Sequence, residues 1–260
     1  MSTARIRQPR VAELVASRLR NDILSGRLKE GDVLPSQEAL FSEIGVSPPA
    51  LREAIHILES DGLISVRRGN VGGAVVHLPS SERTAHMLSM VLQTRGASPG
   101  DVSEALMHLE PVCAGLCAAR EDRLTTVVPH LEAELDTQTA QFDDVTQYVR
   151  NARRFHETLV ARCGNESMIL LIGSLEVIWS AHESAVWGGE GGAVGEDEAT
   201  LAKTRRAALR DHYRIVDAIR DGNQARAVKL AGDHLAAARR NTLGLGEAAK
   251  TIEAKLISHV

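Results

Sequence analysis

Between Val11 and Ser25 the apolar residues Val11, Leu14, Val15, Leu19, Ile23 and Leu24 recur at steps of three and four, and Gly26 follows where a left-handed cap belongs. That spacing predicts a first helix. Gly31 and Pro35 punctuate the next stretch, and Ser36 stands as N-cap to a short second helix with Ala39, Leu40 and Ile44 on its apolar side, ending at Gly45. A third helix follows Ser47, another N-cap residue type, with Pro48 at the first helical position, where a missing N–H costs nothing. Its core side is Leu51, Ala54, Ile55 and Leu58, which leaves Pro49, Arg52, Glu53 and His56 near the outside. Beyond Asp61-Gly62, residues 63–66 read as a strand, residues 67–73 as a glycine-rich turn and residues 74–76 as the returning strand. Three helices and then a hairpin is the order of a winged helix-turn-helix.

From about Ser80 the apolar pattern keeps the helical period, and Gly, Asp and Ser breaks divide it into about seven helices. The expected fold is therefore mainly α: a winged helix-turn-helix over residues 8–78, then an all-α bundle over residues 80–246. Pro111 falls inside the helical run 102–120, where it leaves the Met107 carbonyl without its usual partner and should bend the helix. The run from Gly188 to Gly195 is too rich in glycine for a stable helix and reads as a loop, either a lid or a tolerated surface insertion.

Composition narrows the function. The chain has 260 residues, 43% of them hydrophobic, and a formal net charge of -4. The charge is uneven: residues 1–78 carry 10 Lys and Arg against 9 Asp and Glu, leaving 20 against 25 for the remainder. A nucleic-acid footprint must then be local and N-terminal. No apolar run approaches the roughly 20 residues that cross a bilayer, and the first ten residues lack the apolar segment of a secretory signal. The expected location is the cytoplasm, without a membrane partner.

Three cysteines do not make a disulfide framework. Cys113 and Cys117, one turn apart, read either as half a metal site or as two small buried hydrophobes. Histidines are more informative. His156 shares a face with Ala152, Phe155 and Leu159, His212 with Leu209, Val216 and Ile219, and His234 sits beside Ala231, Leu235 and Ala238. Each alone reads as a core histidine, but three on the inner faces of three helices suit a divalent zinc- or nickel-like ion.

The motifs Leu34-Pro35-Ser36, Gly45-Val46-Ser47, Leu51-Arg52-Glu53-Ala54, Gly62-Leu63-Ile64 and Val66-Arg67-Arg68-Gly69 resemble, in order and spacing, the DNA-binding domain of the GntR superfamily of bacterial regulators. Leu109-Glu110-Pro111, Phe155-His156, the run from Asp211-His212 to Asp221-Gly222, and His234 resemble the FCD-type ligand-binding domain of its FadR-like branch. The resemblance implies a homodimeric transcription regulator, a repressor by expectation, that binds double-stranded operator DNA and responds to a small-molecule effector.

It also implies roles. Ser36, Ser47, Pro48, Pro49 and Arg52 fall on the DNA-reading helices, and Arg67, Arg68 and Gly69 on the wing. Leu106, Glu110, His156, His212 and His234 fall in the effector site, and the three histidines are the metal ligands. Departures matter as much: Glu38 and Pro48-Pro49 stand where many relatives carry arginine and Arg-Thr, so base readout must differ. Ala152 replaces an aspartate ligand one turn before His156, with Asn151 about 100° round the helix. A water or effector oxygen then completes the ligand set, or the histidines bind effector without metal. Leu106 replaces an arginine that meets an effector carboxylate, which points to a larger, apolar or acyl-type effector near Leu106, Met107 and Trp179. Two other readings stand beside the regulator. One is a metal-dependent hydrolase on the three histidines, for which no glutamate has general-base spacing. The other is an interaction module that has lost operator recognition.

Overall fold

The computed structural model describes residues 11–36, 39–40, 42, 45–67, 73–188, 198–243 and 252. The chain divides into two compact units, Met1–Ser80 and Ser81–Val260.

In the first unit, helix α1 (Val11–Leu24) buries Ala12, Val15, Ala16, Leu19 and Ile23 and ends at Gly26, whose φ of 75° is the left-handed cap its position demands. The Ala39 N–H donates to Ser36 Oγ at 3.2 Å, so Ser36 caps the turn that follows it. Glu38 and Ile44 lie outside the described residues. Helix α2 (Pro48–Ser60) buries Leu51, Ala54, Ile55 and Leu58, the predicted stripe. Ser47 occupies the N-cap position in extended conformation, but its side chain makes no capping hydrogen bond. The physical reason is local: Pro48 and Pro49 remove the first two N–H groups of the helix, including one of the two a cap serves.

The wing is an antiparallel pair, β1 (Ile64–Arg67) and β2 (Gly73–Val76), in register Ile64 to Val76 and Arg67 to Gly73. β1 runs one residue later than the predicted strand and β2 starts one residue earlier, so Arg67 and Gly73 belong to the strands rather than to the turn. The segment 31–34 lines the other edge of β2, since Leu34 N donates to Ala74 O and Val76 N to Asp32 O. A Cβ on Gly73 would lie 2.7 Å from Val33 Cγ1, so this edge accepts no side chain there. His77 joins the pieces: its Nε2 faces Ser65 Oγ at 2.7 Å and its Nδ1 faces Glu30 Oε1 at 3.0 Å.

The second unit is helical throughout its described residues: α3 (Ser81–Thr94), α4 (Pro99–Ala119), the single turn α5 (Arg123–Thr126), α6 (Val128–Ala140), α7 (Val145–Ala161), α8 (Glu166–Gly188), α9 (Glu198–Arg220) and α10 (Gln224–Leu243). Helix α4 starts at a capping box, in which Ser98 Oγ accepts from Asp101 N and the Asp101 carboxylate accepts from Ser98 N. It runs unbroken through Pro111 and packs against α7, α8, α9 and α10, with buried residues on most of its circumference. Its approach to α10 is close: a Cβ on Gly115 would lie 2.7 Å from Val228 Cγ2. The core, including Cys113, Cys117, Leu131, Leu135, Phe155, Ile172, Ile215 and Ile219, surrounds α4 and carries the polar site described next.

Candidate functional site

The first unit turns its chemistry outward. Ser36, Ser47, Pro48, Pro49 and Arg52 are all exposed, on α2 or at the helix starts, and Arg67 is exposed at the end of β1. The N-terminus of α2 carries a partial positive charge beside Arg52, which favours phosphate, although Pro48 and Pro49 withhold two of the N–H groups a helix start normally offers. Arg68 and Gly69 lie outside the described residues.

The second unit turns its chemistry inward. His156 on α7, His212 on α9 and His234 on α10 place one ring nitrogen each within 4.8 Å of the others. The Nε2 of His234 is 3.1 Å from that of His212 and 3.3 Å from that of His156. The three rings come from distant parts of the chain because each helix places its histidine on the face that carries its apolar stripe. Phe155 reinforces the arrangement by stacking on the His212 ring with centroids 4.1 Å apart.

The outer ring nitrogens fix the inner ones. His156 Nδ1 lies 2.6 Å from Glu110 Oε1, and His212 Nδ1 lies 3.0 Å from Gln138 Oε1. A ring that donates from Nδ1 to an oxygen and stays neutral must present a lone pair at Nε2. With both rings neutral, their Nε2 lone pairs face the centre beside His234 Nε2. Burial pushes the His212 pKa well down, helped by the neighbouring His234 and His156, and it pushes His234 down to about 3. For Glu110, burial pushes the pKa up, but the His156 charge and hydrogen bond outweigh it, so the carboxyl stays below its ordinary value.

Converging imidazoles, two of them held by an outer hydrogen bond, are a donor set for a transition metal once their inner nitrogens are unprotonated. Nitrogen donors roughly 2.0–2.1 Å from a tetrahedral ion lie about 3.3 Å apart, which matches the separations of His234 from His212 and from His156. The residues present fit such an ion. Ala152 lines the adjoining cavity without a donor, and Asn151 donates instead to Gln141 Oε1 at 2.8 Å. The cysteines take no part: all three are buried, the Cys117 thiol donates to Leu159 O, and burial pushes its pKa up to about 12.

A cavity opens beside the histidines, bounded by α4, α7, α8, α9 and α10. Leu106 and Trp179 line it as expected, whereas Met107 is not part of its wall. The sequence reading of an apolar effector describes one part of this wall. Arg153, Arg205 and Arg239 also line it, on three different helices. Sequence reasoning passed over these arginines, along with Gln138 and Glu176. Gln138 was within reach, since Leu131, Leu135 and Gln138 share one helical stripe, as do Ile172 and Glu176. Glu176 is 3% exposed and lines the cavity.

Comparisons with known proteins agree with both units. The profile described as bacterial regulatory proteins, gntR family, matches residues 11–75, and that of the FCD domain matches residues 101–237. The chain is 25% identical over 248 residues to the HTH-type transcriptional repressor NanR of Klebsiella aerogenes, covering 93% of this chain and 89% of that one. It is 27% identical over 243 residues to the HTH-type transcriptional regulator Mce2R of Mycobacterium tuberculosis, covering 90% and 92%. In fold it is similar to Streptococcus agalactiae GntR, with a TM-score of 0.66 at 23% identity over 88% of this chain and 99% of that one. Among the described residues no helix is long and apolar enough to cross a membrane.

Proposed function

We infer the function from membership: this chain belongs to the gntR family of bacterial regulatory proteins and carries an FCD domain, so it is a DNA-binding transcription regulator and not a hydrolase. Within that frame, residues 8–78 bind operator DNA and residues 80–246 sense a small molecule and dimerise. Arg52 on α2 enters the major groove, with Ser36, Ser47, Pro48 and Pro49 at its edge, while Arg67, Arg68 and Gly69 meet the backbone or minor groove. Effector binding in the cavity shifts the population between operator-competent and incompetent arrangements of a dimer, and relief of repression is the expected sign. Two apolar surfaces support self-association: Met87, Met90 and Val91 form an exposed stripe on α3, and Leu170 and Leu171 are exposed on α8, which packs against it.

The observation that carries the sensing role is the convergence of three Nε2 atoms beside the cavity, with two outer nitrogens held by Glu110 and Gln138. His156, His212 and His234 would hold a zinc- or nickel-like ion, and such an ion supplies a Lewis-acidic position for an effector oxygen. Glu110 and Gln138 keep the imidazole tautomers fixed and the rings aimed. Leu106 closes the apolar wall. The test is a zinc or nickel titration of chelator-treated protein, followed by thermal unfolding and by binding to genomic DNA fragments. Stoichiometric uptake that raises the melting temperature in the parent and not in His212→Ala supports the reading. Equal uptake by both removes the histidines from the metal role.

A further inference from the structure

We propose that His56 reads a base pair in the major groove, so that base recognition, which Pro48 and Pro49 cannot supply through side-chain hydrogen bonds, moves about two turns along α2. This role rests on the operator-binding reading above and adds a specificity residue to it. The buried stripe Leu51, Ala54, Ile55 and Leu58 fixes how α2 is turned. At about 100° per residue, Pro49, Glu53 and His56 stand opposite that stripe, and Arg52 stands about 40° from His56 toward one flank. His56 is therefore nearer the middle of the exposed face than Arg52 is, and its side chain is 78% exposed. A proline offers a base edge only apolar contact, whereas an imidazole can donate to guanine N7 or O6, or accept from the amino group of adenine or cytosine.

The His56 ring has an orienting neighbour. Glu59, one turn further on, places Oε2 3.5 Å from His56 Nδ1, and its Oε1 accepts from Val66 N at 3.4 Å. One carboxylate thus joins the exposed face of α2 to β1, beside Arg67. With Nδ1 turned toward Glu59, Nε2 lies on the far side of the ring, and among the described residues it has no protein partner. Four residues separate Arg52 from His56, about 6 Å along the helix, which is close to two base-pair steps of about 3.4 Å. The two side chains therefore reach neighbouring parts of one half-site.

The test selects bound sequences from a randomised duplex library with the full-length parent, His56→Ala and His56→Arg, with circular dichroism to confirm folding. The expected result is a discrete site in the parent with one position that His56→Ala flattens while the others persist, the discrimination lost there being about 5- to 100-fold. His56→Arg should turn the same position toward guanine, which the arginine fork favours. Adenine or cytosine at that position in the parent identifies a ring that accepts at Nε2, and guanine a ring that donates from it. An unchanged profile in folded His56→Ala overturns the proposal and leaves His56 a solvated surface residue. A uniform loss of affinity across sequences, with a shallower salt dependence, also overturns it, because His56 is then a phosphate contact. Either result leaves the operator-binding reading standing, since the parent still selects a site. A folded parent that enriches no site rejects both.

Discussion

Replacing Glu110 with glutamine tests how the polar core prepares its histidines. Glu110 is 1% exposed on α4, and its Oε1 receives His156 Nδ1–H at 2.6 Å. Glutamine keeps the shape but removes the charge, so its amide oxygen accepts more weakly and its NH2 can turn the imidazole to the wrong tautomer. Loss of such an outer partner typically weakens metal affinity 10- to 100-fold, or about 1.4–2.7 kcal/mol. Gln138→Leu removes a neutral bond at His212 and should fall at the low end of that range. The assay is competition for zinc against a chelator of known affinity, with the parent and both variants at one pH. An unchanged zinc affinity in a folded Glu110→Gln protein would refute the reasoning, because the carboxylate would then be a passenger of the core.

The remaining predictions concern pH, DNA and packing. His212 and His234 have pKa values lowered chiefly by burial. The unfolded chain therefore takes up protons below about pH 6.5 before the folded chain does. Metal-free protein should be most stable above that pH and lose stability as pH falls toward about 3, the value for His234, so denaturant midpoints should decline over that window and decline less in His234→Leu. Arg52→Ala should reduce the dependence of DNA affinity on salt by about one phosphate contact if it clamps the backbone, or relax one base position by about 1–3 kcal/mol if it reads guanine. Gly115→Ala places a Cβ 2.7 Å from Val228 Cγ2 and should destabilise by about 1–3 kcal/mol. Pairing it with Val228→Ala should restore part of that in equilibrium unfolding. Phe155→Ala removes a fully buried ring stacked on His212 and should cost about 3–5 kcal/mol.

What could be read in advance follows from how local each signal is. The α2 stripe, the Gly26 cap and the hairpin were legible because period and turn chemistry act within a few residues. Ser47 holds the N-cap position as read, but its missing side-chain bond was not foreseen, because Pro49 removes one of the two donors that a capping serine serves. The inward histidines were legible as faces of helices, but their convergence to 3.1 and 3.3 Å depends on how α7, α9 and α10 pack, which no local pattern states. Arg205 escaped for the opposite reason: an arginine in a charged helix reads as solvated, whereas packing leaves it 8% exposed, with its guanidinium over the Phe142 ring.

The central claim, a regulator that recognises operator DNA through α2 and the wing, is tested most directly by incubating the full-length protein with fragments of its own genome at moderate salt and sequencing what it retains. The account predicts enrichment of a discrete site with two half-sites, lost in Arg52→Ala and Arg67→Ala. Retention of no fragment above the level of those variants, in protein shown to be folded, would contradict it.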